Sequence, residues 1–117
     1  GVRTSNRRIA TAAGSGAALP TIVEQARAAG LRTGIVTTAE LTDATPASFA
    51  AHVAHRSCRG PGEMQACPTD LRSAGGRGSI ARQLATSGVD LLLGGGRARF
   101  DRPARGGAPP RGRSARR

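Results

Sequence analysis

The sequence predicts an α/β chain, and three observations carry that expectation. Segments of helical spacing alternate with short apolar runs in the order helix, strand, helix, helix, strand. The run TGIVTT at 33–38 is short, β-branched and apolar at adjacent positions Ile35 and Val36, as in a strand covered on both faces, and VDLLLGGG at 89–96 is a strand running into a glycine turn. Capping residues stand where each helix would begin. Two strands alone cannot build a sheet with both faces covered, so the organised region reads as an excerpt of a larger α/β fold.

Residues 1–19 (GVRTSNRRIATAAGSGAAL) show no sustained period and read as loop. After Pro20, Thr21 and Glu24 have the spacing of a capping box; Ile22, Ala26 and Ala29 follow at helical spacing, and Gly30 is a natural stop. A helix is therefore expected over 21–30. The strand at 33–38 comes next. In AELTDATPASFAAHVAHR (39–56) a loop leads into a second helix, with Thr45 as N-cap, Pro46 at the first helical position, and Phe49, Ala50 and Val53 as the apolar stripe. Residues 57–78 are irregular. Ser79 suits the cap of a third helix, IARQLATSG, with Ile80 and Leu84 four apart and Gly88 at its end.

Composition argues against a self-sufficient core. Leu, Ile, Val and Phe total 19 of 117 residues, Trp and Tyr are absent, and Gly and Pro contribute 24. With a net charge of +11, so few large apolar residues resemble a disordered chain. The charge is uneven. Residues 97–117 hold eight Arg and one Asp, a net +7, whereas residues 1–96 hold ten Arg and six acids, a net +4. The segment 101–117, rich in Arg, Gly and Pro, is expected to be disordered, with 1–100 as the organised part. An alternative function follows from that tail alone: binding nucleic acid or another polyanion by counterion release. One Phe and no repeated RGG unit across 97–117 leave little for base stacking, so a nucleic-acid partner is not the favoured expectation.

No run of about 18 apolar residues exists to span a membrane, and no signal peptide is recognisable in this stretch. Cys58 and Cys67, nine apart in a Gly- and Pro-rich loop, suit a local disulfide in an exported protein; two reduced thiols are the alternative. Read without a family, Asp43 and Thr45 build a turn and cap a helix, and Arg56 compensates a helix dipole. His52 and His55, three apart, read as surface or packed histidines of the second helix rather than metal ligands. GGRGS (75–79) reads as a turn and cap, since it lacks the GK[ST] of a nucleotide loop.

The order of these segments resembles the alkaline phosphatases. The likeness starts at GVRTSN and is densest over LPTIVEQARAAGLRTGIVTTAELTDATPASFAAHVAHR. It continues through the Cys58–Cys67 loop, GGRGSIARQL and VDLLLGGGRARF, so it covers about residues 1–100. The resemblance implies a three-layer α/β/α sandwich, of which this chain would be a part. It also implies hydrolysis of phosphate monoesters through a phosphoserine, with two zinc ions and one magnesium ion, in a periplasmic or secreted homodimer. On matching positions, Asp43 and Thr45 of TDAT would be magnesium ligands, a pair of hard oxygen donors suited to that ion. Arg56, ending HVAHR, would bind phosphate through paired guanidinium donors. The family's serine nucleophile lies in a D-S-A-type segment with no counterpart in these 117 residues, and most zinc ligands would lie beyond Phe100. The expectation is therefore a partial site, inactive alone.

Overall fold

The computed structural model describes residues 1–101, so the expectation for the remaining tail lies outside the described residues. Among the described residues the α-helices and strands are α1 (Ile22–Ala28), β1 (Gly34–Glu40), α2 (Ala44–Ala47), α3 (Ile80–Thr86) and β2 (Leu91–Gly95), with single 3-10 turns at Pro68–Asp70, Arg72–Ala74 and Arg97–Arg99.

The capping box forms as its spacing predicts. Glu24 N–H donates to the Thr21 hydroxyl at 3.2 Å, and Thr21 N–H donates to the Glu24 carboxylate at 2.8 Å. The helix ends in a Schellman turn: Gly30 takes φ 77°, and Gly30 and Leu31 N–H donate to the carbonyls of Arg27 and Ala26. The expected stripe of Ile22, Ala26 and Ala29 is not the buried one. Val23 is buried and Ile22 is 64% exposed, because Val23 and Glu24 are the residues facing the loop around His52.

β1 and β2 pair in parallel, with Gly34, Ile35 and Val36 opposite Leu91, Leu92 and Leu93. Register puts Ile35 and Leu92 on one face, where Ile35 is buried and Leu92 packs on the core. Val36, Leu91 and Leu93 stand on the other face, each about half exposed or more. The expected covering of both faces is thus met on one face only among the described residues. The glycines after Leu93 have a packing reason. A methyl group at Gly94 would lie 2.8 Å from Thr37 Cγ2 and 2.9 Å from Leu41 Cγ, so β2 can cross the end of β1 only without a side chain there.

The second helix differs most from expectation. It is one turn, begins with Asp43 as N-cap, and contains Thr45 and Pro46 rather than being capped by them. Pro46 is tolerated because the first N–H groups of a helix have no intrahelical partner. Beyond Ala47 the chain leaves the helix, and Val53 exchanges backbone hydrogen bonds with Ile9 at 3.1 and 3.2 Å. That bridge is why Val53 is fully buried while Phe49 is exposed, and why His52 and His55 do not share a helix. Long-range pairing overrides the local helical pattern. It also draws part of the 1–19 loop into the core through Ile9.

Cys58 and Cys67 form a disulfide, fully buried, with Cα atoms 6.4 Å apart. It sits beside the start of α3. Ser79 caps that helix by accepting from Arg82 N–H, and the first two helical N–H groups, of Ile80 and Ala81, donate to the carbonyls of Cys58 and Arg59. Ile80 and Leu84 are buried on one face, as their spacing predicts, and Gly88 follows the C-cap at φ 73°.

Candidate functional site

The segment from the end of β1 to the disulfide gathers alternating charges. Glu40 ends β1 and Asp43 begins α2; Arg56 and Arg59 follow the Ile9–Val53 bridge. Arg56 is fixed by its own N–H, which donates to the carbonyl of Arg7 at 2.6 Å. Arg7 holds φ 68°, a left-handed conformation that costs an ordinary residue about 1–2 kcal/mol. Arg59 is fixed by its carbonyl, which caps α3.

Their side chains form one ladder. Arg56 donates to Asp43 Oδ1 at 3.1 Å, and Arg59 donates to that same oxygen at 2.9 Å. Arg59 also donates to Glu40 Oε2 at 2.9 Å. Arg99, just after β2, donates to Glu40 at 3.2 Å and pairs with Glu63. Three acids and three arginines thus alternate from Arg56 to Glu63, each about a quarter to a half exposed. The hydrogen bond from Arg99, reinforced by Arg59, holds the Glu40 carboxyl below its ordinary range, and Glu40 in turn raises Arg99.

Thr45 is exposed on α2, two residues from Asp43. Asp43 and Thr45 therefore offer a carboxylate oxygen, Oδ2, and a hydroxyl with no protein partner among the described residues. Both are hard oxygen donors, which is what a magnesium ion takes, and two donors make only part of its shell. The residues fit that ion as a partial set. Among the described residues no group of three or more His, Cys, Asp and Glu side chains could hold a metal.

The histidines have other tasks. His52 is buried, with Nδ1 2.8 Å from the carbonyl of Ala10 and Nε2 2.8 Å from the Glu24 carboxylate. A carbonyl can only accept, so Nδ1 carries a proton. Burial pulls Glu24 upward, but the Thr21 N–H and His52 outweigh it, and its carboxyl lies below the ordinary range. Gln83, buried on α3, accepts from His52 N–H and donates to His52 and Gly78 carbonyls. His55 turns outward, its Nδ1 bonded to Ser57. GGRGS is the turn and cap expected of it, with Gly78 at φ 88°.

Sequence reasoning named Asp43, Thr45 and Arg56 and missed Glu40, Arg59, Glu63 and Arg99. One signal was available: Glu40 and Asp43 are three apart, and so are Arg56 and Arg59. Those two acids and two bases are four of the six residues that the ladder joins; Glu63 and Arg99 carry no such spacing.

A family model described as alkaline phosphatase matches residues 1–113. The chain belongs to the alkaline phosphatase family. Among curated relatives, streptomycin-6-phosphate phosphatase of Streptomyces griseus is 48% identical over 114 residues, which is 97% of this chain and 25% of that protein. The alkaline phosphatase of Escherichia coli strain K12 is 51% identical over 89 residues, 75% of this chain and 19% of that one. Among solved structures, a TAB5 alkaline phosphatase mutant with magnesium bound superposes with a TM-score of 0.64 at 33% identity, over 85% of this chain and 23% of that one. A cold-active alkaline phosphatase from Shewanella gives 0.65 at 31% identity, over 86% and 20%. This alkaline phosphatase chain therefore spans a quarter or less of the length of these relatives.

Proposed function

We propose that residues 40–59 supply the phosphate-binding arginine and two of the magnesium donors of a phosphate monoester hydrolase. The observation that carries this reading is the direct pair between Arg56 and Asp43 at 3.1 Å, within TDAT and HVAHR, the motifs that carry the family likeness. Arg56 is half exposed, and its guanidinium can present paired donors to two oxygens of a phosphate, orienting it and holding charge as it builds. Asp43 orients that guanidinium. Asp43 and Thr45 would hold magnesium, which supplies charge stabilisation and an activated water when bound. The TAB5 relative, a mutant form, holds magnesium, which supports a magnesium site in a protein of this family. Most of the zinc ligands would lie outside this chain, and the serine nucleophile has no counterpart in the 117 residues. The chain by itself is thus expected to bind phosphate without turning over a monoester. The disulfide supports an oxidising compartment, periplasmic or secreted, and no helix among the described residues is long and apolar enough to cross a membrane. Homodimerisation is proposed for the full-length family enzyme.

Titration calorimetry with inorganic phosphate tests the reading. Binding should weaken at least ten-fold in Arg56→Ala, the scale of one lost charge-assisted pair. Unchanged affinity would overturn the role of Arg56. Turnover of p-nitrophenyl phosphate by the chain with zinc and magnesium would overturn the expectation of inactivity.

A further inference from the structure

We propose that Arg59 is a positioning residue that sets how the charge of Asp43 is divided between a cation and Arg56. The inference rests on the reading of Asp43 and Arg56 given above. Three observations support it. First, Asp43 Oδ1 accepts from Arg59 at 2.9 Å and from Arg56 at 3.1 Å, so two guanidiniums share one oxygen. Second, Arg59 is the least exposed arginine of the ladder, and its backbone is held by the donation of Ala81 N–H to its carbonyl at 2.8 Å. It approaches Asp43 from a fixed base. Third, its other terminal nitrogen is taken by Glu40, which Arg99 holds in turn.

The electrostatic consequence has two opposite signs. A guanidinium at hydrogen-bond distance from Asp43 repels a second cation seeking that carboxylate. It also takes part of the negative charge that would otherwise bind Arg56 alone, which leaves Arg56 freer to turn to an anion. Removing Arg59 should therefore strengthen cation binding at Asp43 and weaken anion binding at Arg56. A purely structural residue would move both in one direction. The substitution strands no charge, since Asp43 keeps Arg56 and Glu40 keeps Arg99. Methionine preserves most of the stem, and the backbone bond to α3 does not involve the side chain.

The test is calorimetry on the full 117-residue chain with magnesium chloride and, separately, with inorganic phosphate. Because the ladder is partly exposed, the changes should be modest: about five-fold tighter magnesium and about five-fold weaker phosphate in Arg59→Met. Arg59→Lys, which keeps the charge, should restore most of both. Affinities that fall together, or that do not move, would overturn the proposal. Magnesium binding that survives Asp43→Asn would instead overturn the underlying site. A second measurement needs no ligand: the guanidinium N–H signals of Arg56, followed by NMR, should exchange more slowly in Arg59→Met as Asp43 turns wholly to Arg56. Unchanged exchange would show that the two arginines do not share the oxygen.

Discussion

Gln83 offers the sharpest test of how the core is held. Its side chain, 7% exposed, makes three hydrogen bonds to backbone: it accepts from His52 N–H at 2.9 Å and donates to the carbonyls of His52 at 2.8 Å and Gly78 at 2.9 Å. Gln83→Leu keeps the volume roughly constant and removes all three. An orphaned buried polar group costs about 1–3 kcal/mol. Gln83 also lines a cleft of about 470 Å³ with Arg27, Arg72 and Arg77, so water can reach part of the vacated site. The lower end of the range then applies, and three groups sum to about 3 kcal/mol. With a urea slope of about 1–1.5 kcal/mol/M for a chain of this size, the midpoint should fall by roughly 2–3 M. Far-UV circular dichroism is the probe, since the chain has no Trp or Tyr. Gln83→Glu retains an acceptor for His52 N–H but aims carboxylate oxygen at two carbonyls. It should be at least as damaging at neutral pH and recover as acid returns a proton to donate. A midpoint for Gln83→Leu equivalent to less than about 0.5 kcal/mol would refute the reasoning, because it would mean that these bonds are replaced by water at no cost.

Three further outcomes are expected. Replacing Cys58 and Cys67 together by Ala opens a ring of nine-residue separation and should cost about 2.7 kcal/mol by loop-closure entropy, read by the same urea titration; a loss below about 1 kcal/mol would contradict it. Gly94→Ala should cost about 1–3 kcal/mol, because the added methyl meets Thr37 and Leu41, and an unchanged melting temperature would show that β2 does not need glycine there. Glu24, Glu40 and Asp90 all lie below their ordinary values of 4.5, 4.5 and 3.8, Asp90 through the Thr33 N–H and Arg32. The unfolded chain therefore binds more protons in acid, so their stabilisation is complete above about pH 5 and is lost as the pH falls through the depressed folded-state values. A melting temperature that stays level from pH 5 to 3 would exclude that contribution.

Local signals were legible where a few neighbouring residues complete the interaction. Thr21 and Glu24 satisfy each other's backbone donors within one turn, Gly30 closes the helix that they open, and Ser79 caps α3. The strands were found because adjacent apolar residues have few alternatives to a sheet. The second helix was misjudged because its pattern after Ala47 competes with a partner 44 positions earlier, Ile9, which pairs with Val53. Likewise the buried face of α1 depends on what lies against Glu24, and that is His52.

The site divides along the same line. The likeness that runs from GVRTSN to VDLLLGGGRARF places the family, and it is through that likeness that Asp43 and Thr45 are proposed as an oxygen-donor pair and Arg56 as a phosphate-binding guanidinium. Which oxygen of Asp43 meets which arginine was decided only on folding. That depends on the Ile9–Val53 bridge, on the docking of the Cys58 and Arg59 carbonyls against α3, and on glycines that let β2 bring Arg99 to Glu40. Charge pairs need contact within a few ångströms, and residues 13 to 59 positions apart along the chain reach that contact only when the rest of the backbone holds them there.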